Sequence, residues 1–399
     1  METKALKSQM AVLWKNTFAD SDEYIKIVFD NYFNPDLVAF REVNGMVISA
    51  LIGIPYEFRS GDPDVGSLKG LYLCGLSTVT SHRNQGLMSI LLEEINAKAR
   101  KYGFDFTFLI PASPGLSRYY ENRGYMPAFF FEEQNYVADH DFESVFRKMC
   151  LKKNDYPKIE NFEKLEVMEV NFKISETGEL ESDSAITPES LVSFLTDCPV
   201  NLIESKDVKS LSIFHTADDW RLVIKESIIS SDHIFLCTEG ATIKGTAFTT
   251  FTDSRIRIKK IISVNEETDI KLKDYIKKFY PTSSMTVVCY ENEQKFDFHQ
   301  DQIWKPFYLH NNSPQAEYED MSSVETSVLS QNCTKPFGMC RILNASEILK
   351  KITNCQDDRE FSILANEEKF MLRRPSNPDY VGEAMNIPLL NLSAFLLLE

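Results

Sequence analysis

Leu73-Cys74-Gly75-Leu76-Ser77-Thr78-Val79-Thr80-Ser81-His82-Arg83-Asn84-Gln85-Gly86-Leu87-Met88 is the stretch on which the fold of this chain turns. It reads as the end of an apolar strand spanning residues 68–78, then a polar turn with one glycine, then a helix over residues 89–101. Such a turn leaves the first N–H groups of the helix without partners inside it. Those groups and the helix dipole suit phosphate oxygens. Gly86 allows a positive φ and lets a ligand approach the backbone, and Arg83 adds a cation. The stretch is therefore read as a pyrophosphate cradle.

Around it lie 399 residues, enough for two or three domains. A chain that is 43% hydrophobic and 12% aromatic can bury several cores and is not of disordered composition. The formal net charge of −16 counts against nucleic acid and anionic membranes as partners and favours cations such as amines. The 8 cysteines stand singly, with no CxxC pair and no histidine–cysteine cluster, so no metal is expected and buried thiols in a reducing compartment are. The N-terminal residues lack an apolar signal core, and no run approaches the ~20 apolar residues of a membrane span. A cytoplasmic location is the expectation.

Helices are expected over residues 8–18 and 21–33, then a hairpin of strands 37–43 and 46–58 about Asn44-Gly45, with Pro55 limiting the second. After the cradle helix come a strand (104–110), a short helix (115–122) closed by Gly124, and a strand (125–137). Residues 139–153 are charged and form the first plausible boundary. A similar plan follows: a strand at 165–174, helices at 188–196 and 216–227, a hairpin 234–238/244–252, a strand 255–264, a helix 269–279 and a strand 285–290. Internal duplication is plausible. The corresponding turn, Val264-Asn265-Glu266-Glu267-Thr268, has no glycine or arginine and carries two carboxylates that repel phosphate. A third segment opens with a strand at 339–343 and a helix at 345–352, continues through a hairpin within 361–373, and ends in an apolar helix over 388–398.

The residues after Gly86 are Leu87-Met88, which excludes a P-loop lysine and serine, and the single glycine excludes a dinucleotide fingerprint. Arg83-Asn84-Gln85-Gly86-Leu87-Met88 resembles the coenzyme A loop of GNAT-type N-acetyltransferases, Arg/Gln-x-x-Gly-x-Gly/Ala, with Met88 departing at the small position. Tyr119-Tyr120-Glu121-Asn122-Arg123-Gly124-Tyr125 resembles that family's F/Y-Y-x-x-x-G-F/Y helix. The layout as a whole, with His82-Arg83 before the loop and Asp218-Asp219-Trp220-Arg221 in the second unit, is similar to the enhanced intracellular survival type. The resemblance implies an α/β (α+β) chain of tandem GNAT acyl-CoA acyltransferase folds with a small sterol-carrier-like α+β domain. It divides the chain into a catalytic unit at residues 1–145, a degenerate one at 146–295, and the C-terminal domain at 296–399, shorter at its end than in the family.

The same resemblance implies an N-acetyltransferase that moves acetyl from acetyl-CoA, its co-substrate, to a primary amine of a small cationic acceptor by direct attack. Tyr120 takes the general-acid place, against the plain reading of a core aromatic. Backbone groups of Leu76, Ser77 and Thr78 would hold the thioester carbonyl. Asn84, Gln85, Gly86, Leu87, Met88 and Ser89 would surround the pyrophosphate, with Arg83 adding charge. Ser113 either bonds the pantetheine arm or caps the next helix. The family's general base is its terminal carboxylate, which makes Glu399 the candidate here, with solvent or another carboxylate as substitutes. The alternative function is a non-catalytic protein that binds coenzyme A or another small ligand. A homo-oligomer is compatible with either.

Overall fold

The structure, a computed structural model, describes residues 2–18, 20–60, 65–182, 186–197, 210–252, 255–281, 283–290, 335–344, 347–348, 350–351 and 391–393. Helix α1 (Thr3–Phe18) and helix α2 (Asp22–Tyr32) come first; the Ser21 hydroxyl caps α2 by accepting from the Tyr24 N–H. Strands β1 (Val38–Val43) and β2 (Met46–Ser60) form the hairpin, with Asn44 and Gly45 both at positive φ (51° and 79°), as a tight primed turn requires. β2 runs through Pro55. On one edge its pairing with β1 ends at Ile52, and a later strand takes over at Glu57, so Pro55 falls in a gap where no donor is needed.

β2 pairs with β3 (Leu68–Thr78); helix α3 (Leu87–Lys101) then crosses over to the parallel β4 (Phe106–Leu109). Helix α4 (Pro114–Glu121) and strand β5 (Met126–Tyr136) complete this part. The charged stretch after it is helix α5 (Phe142–Lys153), which buries Phe142, Phe146 and Cys150, and α6 (Tyr156–Lys164) follows. Next are β6 (Glu166–Val170), β7 (Phe172–Ile174), β8 (Leu180–Ser182), α7 (Pro188–Asp197), β9 (Ser210–Phe214) and α8 (Ala217–Ile229).

β10 (His233–Glu239), β11 (Thr242–Thr252) and β12 (Arg255–Ser263) form a meander, from which α9 (Glu266–Phe279) crosses to the parallel β13 (Ser284–Tyr290). Meander, helix and parallel strand thus occur twice, joined where β13 pairs with β5.

The strand expected to open the third segment, β14 (Lys335–Ile342), is built into the first unit, antiparallel to both β4 and β5. Arg341 on it forks onto Glu93 of α3 at 2.5 and 3.2 Å. Lys351 reaches both carboxylate oxygens of buried Asp105 at 2.8 Å, and Asp105 also accepts from the Lys69 N–H at 2.7 Å. Replacing Lys351 by methionine removes the cation from a buried carboxylate, and a loss of about 2 kcal/mol is expected as a lower urea midpoint, moderated because the lysine itself is partly solvated. Near the C-terminus, residues 391–393 form strand β15 (Asn391–Ser393), parallel to β9 and β5, where the sequence suggests a helix. The rest of the expected terminal helix, the hairpin within 361–373 and Glu399 lie outside the described residues.

Two cores flank the first sheet. Leu71 and Leu73 face α3, with Leu91, Leu92, Ile95 and Tyr120. Tyr56, Tyr72, Cys74 and Phe108 face α1, α2 and α8. Among the described residues no helix is long and apolar enough to cross a membrane.

Candidate functional site

β3 and β4 pair in parallel only from Gly70↔Phe106 to Tyr72↔Phe108. Beyond that point β3 continues to Thr78 without β4, and the two strands fork. Within the fork β3 is bulged. Leu51 of β2 stands between the pairs Ile52↔Cys74 and Ala50↔Ser77, so Gly75 and Leu76 together oppose it. Gly75 has φ +61°, and a Cβ there would lie 2.4 Å from the Trp14 ring. The bulge resets the alternation, so Leu76 packs on the α3 side. Ser77 and Thr78 are tied to the hairpin: the Ser49 hydroxyl donates to the Ser77 carbonyl at 3.1 Å and lies 2.8 Å from the Thr78 hydroxyl.

The turn beyond it is a short 3-10 helix at residues 80–82, followed by exposed residues 83–86. Gly86 is the N-cap of α3 at φ +75°, with nothing within 4 Å of a Cβ placed there. The helix starts at Leu87, two residues earlier than its sequence suggests, and no side chain caps it. By contrast α2, α4, α5, α8 and α9 are capped by Ser21, Ser113, Asp141, Thr216 and Asn265. The first turn of α3 therefore presents its orphan N–H groups and the positive end of its dipole to an exposed turn whose last residue, Gly86, has no Cβ.

Arg83 donates from Nε to the Thr78 carbonyl at 3.0 Å, which aligns its guanidinium along the same turn. Asn84 is also at positive φ, 62°, and Gln85 spans back to the Ser81 carbonyl at 3.4 Å. Met88, like Leu76, packs on the core that lies on the α3 side of the sheet. Ser89 is engaged: its hydroxyl accepts from Arg123 Nε at 3.0 Å and Nη2 at 2.6 Å and lies 3.2 Å from the Tyr119 hydroxyl. Arg123 stacks 3.4 Å above the Tyr119 ring and donates to its carbonyl at 2.5 Å. The sequence reading passes over this arginine. Its signal was a cation one residue before the glycine that ends α4, and only the crossing of α4 onto α3 brings it to the cradle. The carboxylates farther along α3 are paired, Glu93 with Arg341 and Glu94 with Arg41, so they add little negative charge here.

Tyr120 lies 6% exposed in the core that holds Leu73 and Leu76, with its ring edge-on to Tyr119 and Tyr125 at 5.3 and 5.9 Å. Burial foremost, with the neighbouring tyrosines, holds its phenol well above the ordinary value, while Arg123 opposes that shift. Ser113 caps α4, accepting from the Leu116 N–H at 3.3 Å.

The second unit repeats the fork, since β12 and β13 pair only from Arg255↔Ser284 to Ile258↔Val287. Its helix is sealed. Asn265 Oδ1 accepts from the Thr268 N–H at 2.9 Å, Glu266 binds Lys158 at 2.8 Å, and Glu267 and Thr268 are buried. A Cβ on Gly245 would lie 2.6 Å from the Thr268 methyl, which shows how closely the turn is seated. The side-chain cap and the Glu266 and Glu267 carboxylates leave this turn unsuited to phosphate. Among the described residues, no group of three or more His, Cys, Asp or Glu is placed to hold a metal ion.

The sequence model of the acetyltransferase (GNAT) domain family matches residues 3–128. No curated protein matches the sequence. Solved structures of the same fold include one from Enterococcus faecalis V583, described as a conserved protein of unknown function and probable N-acyltransferase. It shares 12% identity at a TM-score of 0.56, over 88% of this chain and 73% of that one. A GCN5-related N-acetyltransferase from Kribbella flavida is similar at 12% identity and a TM-score of 0.53, over 88% and 72%. Eis1 from Mycobacterium abscessus is similar at 9% identity and a TM-score of 0.53, over 88% and 74%. The fold is thus the mixed α/β fold of GNAT acetyltransferases, and the domain match marks the chain as an acyltransferase.

Proposed function

We propose that the chain is an N-acetyltransferase that transfers acetyl from acetyl-CoA to a primary amine of a small cationic acceptor. The observation that carries this reading is the uncapped N-terminus of α3 at a left-handed glycine, next to the fork of β3 and β4. Residues 84–89 would surround the pyrophosphate through backbone N–H groups, with Arg83 and Arg123 supplying charge; the open space about Gly86 suits that ligand. The acetyl thioester would lie along residues 76–78, whose edge toward β4 is unpaired and offers N–H donors to the carbonyl oxygen as it becomes an oxyanion.

A neutral amine nitrogen attacks the thioester carbon, the C–N bond forms, and the C–S bond then breaks. The proton lost by the amine goes to a base, and the departing thiolate takes a proton from the Tyr120 hydroxyl, which its raised pKa keeps in the acid form. Residues 1–145 are read as the catalytic unit and 146–295 as a copy that lost the cradle. Assigning residues 296–399 to a sterol-carrier-like domain, and the base to Glu399, rests on resemblance alone.

Calorimetry with acetyl-CoA, followed by thiol release over spermidine, putrescine, kanamycin and tyramine, tests the proposal. Binding with thiol release from at least one amine is expected. Binding without release from any of them would favour the non-catalytic alternative, and no binding would defeat both. Arg83→Ala and Arg123→Ala are each expected to raise the KM for acetyl-CoA about tenfold with kcat little changed, the signature of lost phosphate contacts. A fall in kcat at constant KM would place those arginines elsewhere.

A further inference from the structure

The face of the first sheet opposite α3 holds an arrangement that a plain core does not need. Tyr56, on β2, is 6% exposed, and its hydroxyl is buried without a hydrogen-bond partner among the described residues. The hydroxyl of Tyr32, the last residue of α2, is in the same condition. Buried hydroxyls are nearly always satisfied, because each has given up its water, and phenylalanine would fill either place without that loss.

The rings about Tyr56 form a wall. Tyr72 is 6.4 Å away, Phe108 6.1 Å and His215 6.2 Å, and Trp220 stands 4.8 Å beyond His215. Tyr72 and Phe108 are also the last pair of the β3–β4 ladder, so the wall stands at the base of the fork. His215 and Trp220 belong to the second unit, whose helix α8 packs against α2. Burial foremost raises the pKa of both phenols, and the Asp219 and Glu226 carboxylates of α8 push each in the same direction. Aromatic rings thus stand about Tyr56, and of the two carboxylates Asp219 is held at the start of α8, where it accepts from the Thr216 N–H and hydroxyl at 2.7 Å each.

We infer that the Tyr56 and Tyr32 hydroxyls, the rings of Tyr72 and Trp220, and the Glu226 carboxylate of α8 form the acceptor subsite, and that its ligand class is a linear diamine or polyamine. This rests on the N-acetyltransferase reading above. The attacking nitrogen must be neutral, so the cation held here is a second nitrogen of the same molecule. A protonated amine suits both aromatic faces and a carboxylate, and its N–H groups satisfy phenol oxygens that have no donor among the described residues. The second unit then has a task despite its sealed turn: it supplies one wall of the first unit's site.

The test is calorimetry of spermidine, putrescine and kanamycin against the full-length chain, with acetyl-CoA titrated into the same preparations. Tyr56→Phe and Glu226→Gln are each expected to weaken spermidine binding about tenfold, the size of a hydrogen bond or ion contact to a charged group, while acetyl-CoA binds as before. Tyr56→Phe should keep or raise the Tm of the ligand-free protein, since it removes an unsatisfied hydroxyl. A lowered Tm would give that hydroxyl to the fold and overturn the assignment. So would unchanged spermidine affinity in both variants, binding of kanamycin alone, or binding of no amine by a wild-type protein that binds acetyl-CoA. Loss of acetyl-CoA binding in the wild type would instead defeat the cradle, with the amine titrations still deciding the subsite.

Discussion

Gly75→Ala is expected to lower the stability of the chain by about 4 kcal/mol, read as a large drop in the urea midpoint with an unchanged slope. Part of that comes from forcing a residue with a Cβ into left-handed backbone, about 1–2 kcal/mol. The rest comes from overlap with Trp14, whose nearest ring atom would be 2.4 Å from the new methyl. Trp14 has little freedom to move. Its indole N–H donates to Asp20 at 2.6 Å, and its ring packs edge-on against Phe18 and Phe29 at 5.6 and 5.8 Å. Gly86→Ala is the control, with a similar φ but nothing within 4 Å, and should cost only about 1 kcal/mol. Equal losses at the two positions would contradict the bulge. Any Gly75→Ala protein that survives should also turn over slowly, because the bulge sets the direction of residues 76–78.

Tyr120→Phe is expected to reduce kcat for thiol release at least about a hundredfold, the usual contribution of a positioned acid, with the KM for acetyl-CoA and the Tm close to wild type. The ring stays packed between Tyr119 and Tyr125, so only the proton is removed. The pH profile gives a second check. Burial disfavours the phenolate, so the folded pKa lies above that of free tyrosine, about 10, and the acid form persists through the weakly alkaline range. In wild type, no loss of rate assignable to this group should occur between about pH 7 and 9. An unchanged kcat in the variant would return Tyr120 to the role of a core aromatic.

Much of the first unit was legible because its signals are local. Asn44-Gly45 makes its hairpin, Ser21 caps its second helix, and Gly86 stands where its backbone turns left-handed. The bulge at Gly75 had a local sign as well, a glycine inside an apolar strand. Helix α5 was hidden by its charges, although Phe142, Phe146 and Cys150 recur every four residues along its buried face. Pro55 does not limit its strand as expected, because what a proline does to a strand depends on which neighbour stands beside it. Arg123 on Ser89, the Tyr56 wall and the docking of β14 join residues far apart in sequence, so no window along the chain could have displayed them.

The placement of β14 also bears on how the chain is made. Synthesis runs from the N-terminus, so β4 and β5 leave the ribosome roughly two hundred residues before the strand that separates them. Until then the β4 and β5 edges that β14 will cover lie open, and an exposed apolar edge invites pairing with another nascent chain. Closing the sheet across that length is a slow, high-contact-order step. Chains ending before residue 335 should therefore accumulate in inclusion bodies even though they contain the whole cradle, and co-expressing the missing C-terminal piece should return part of them to solution.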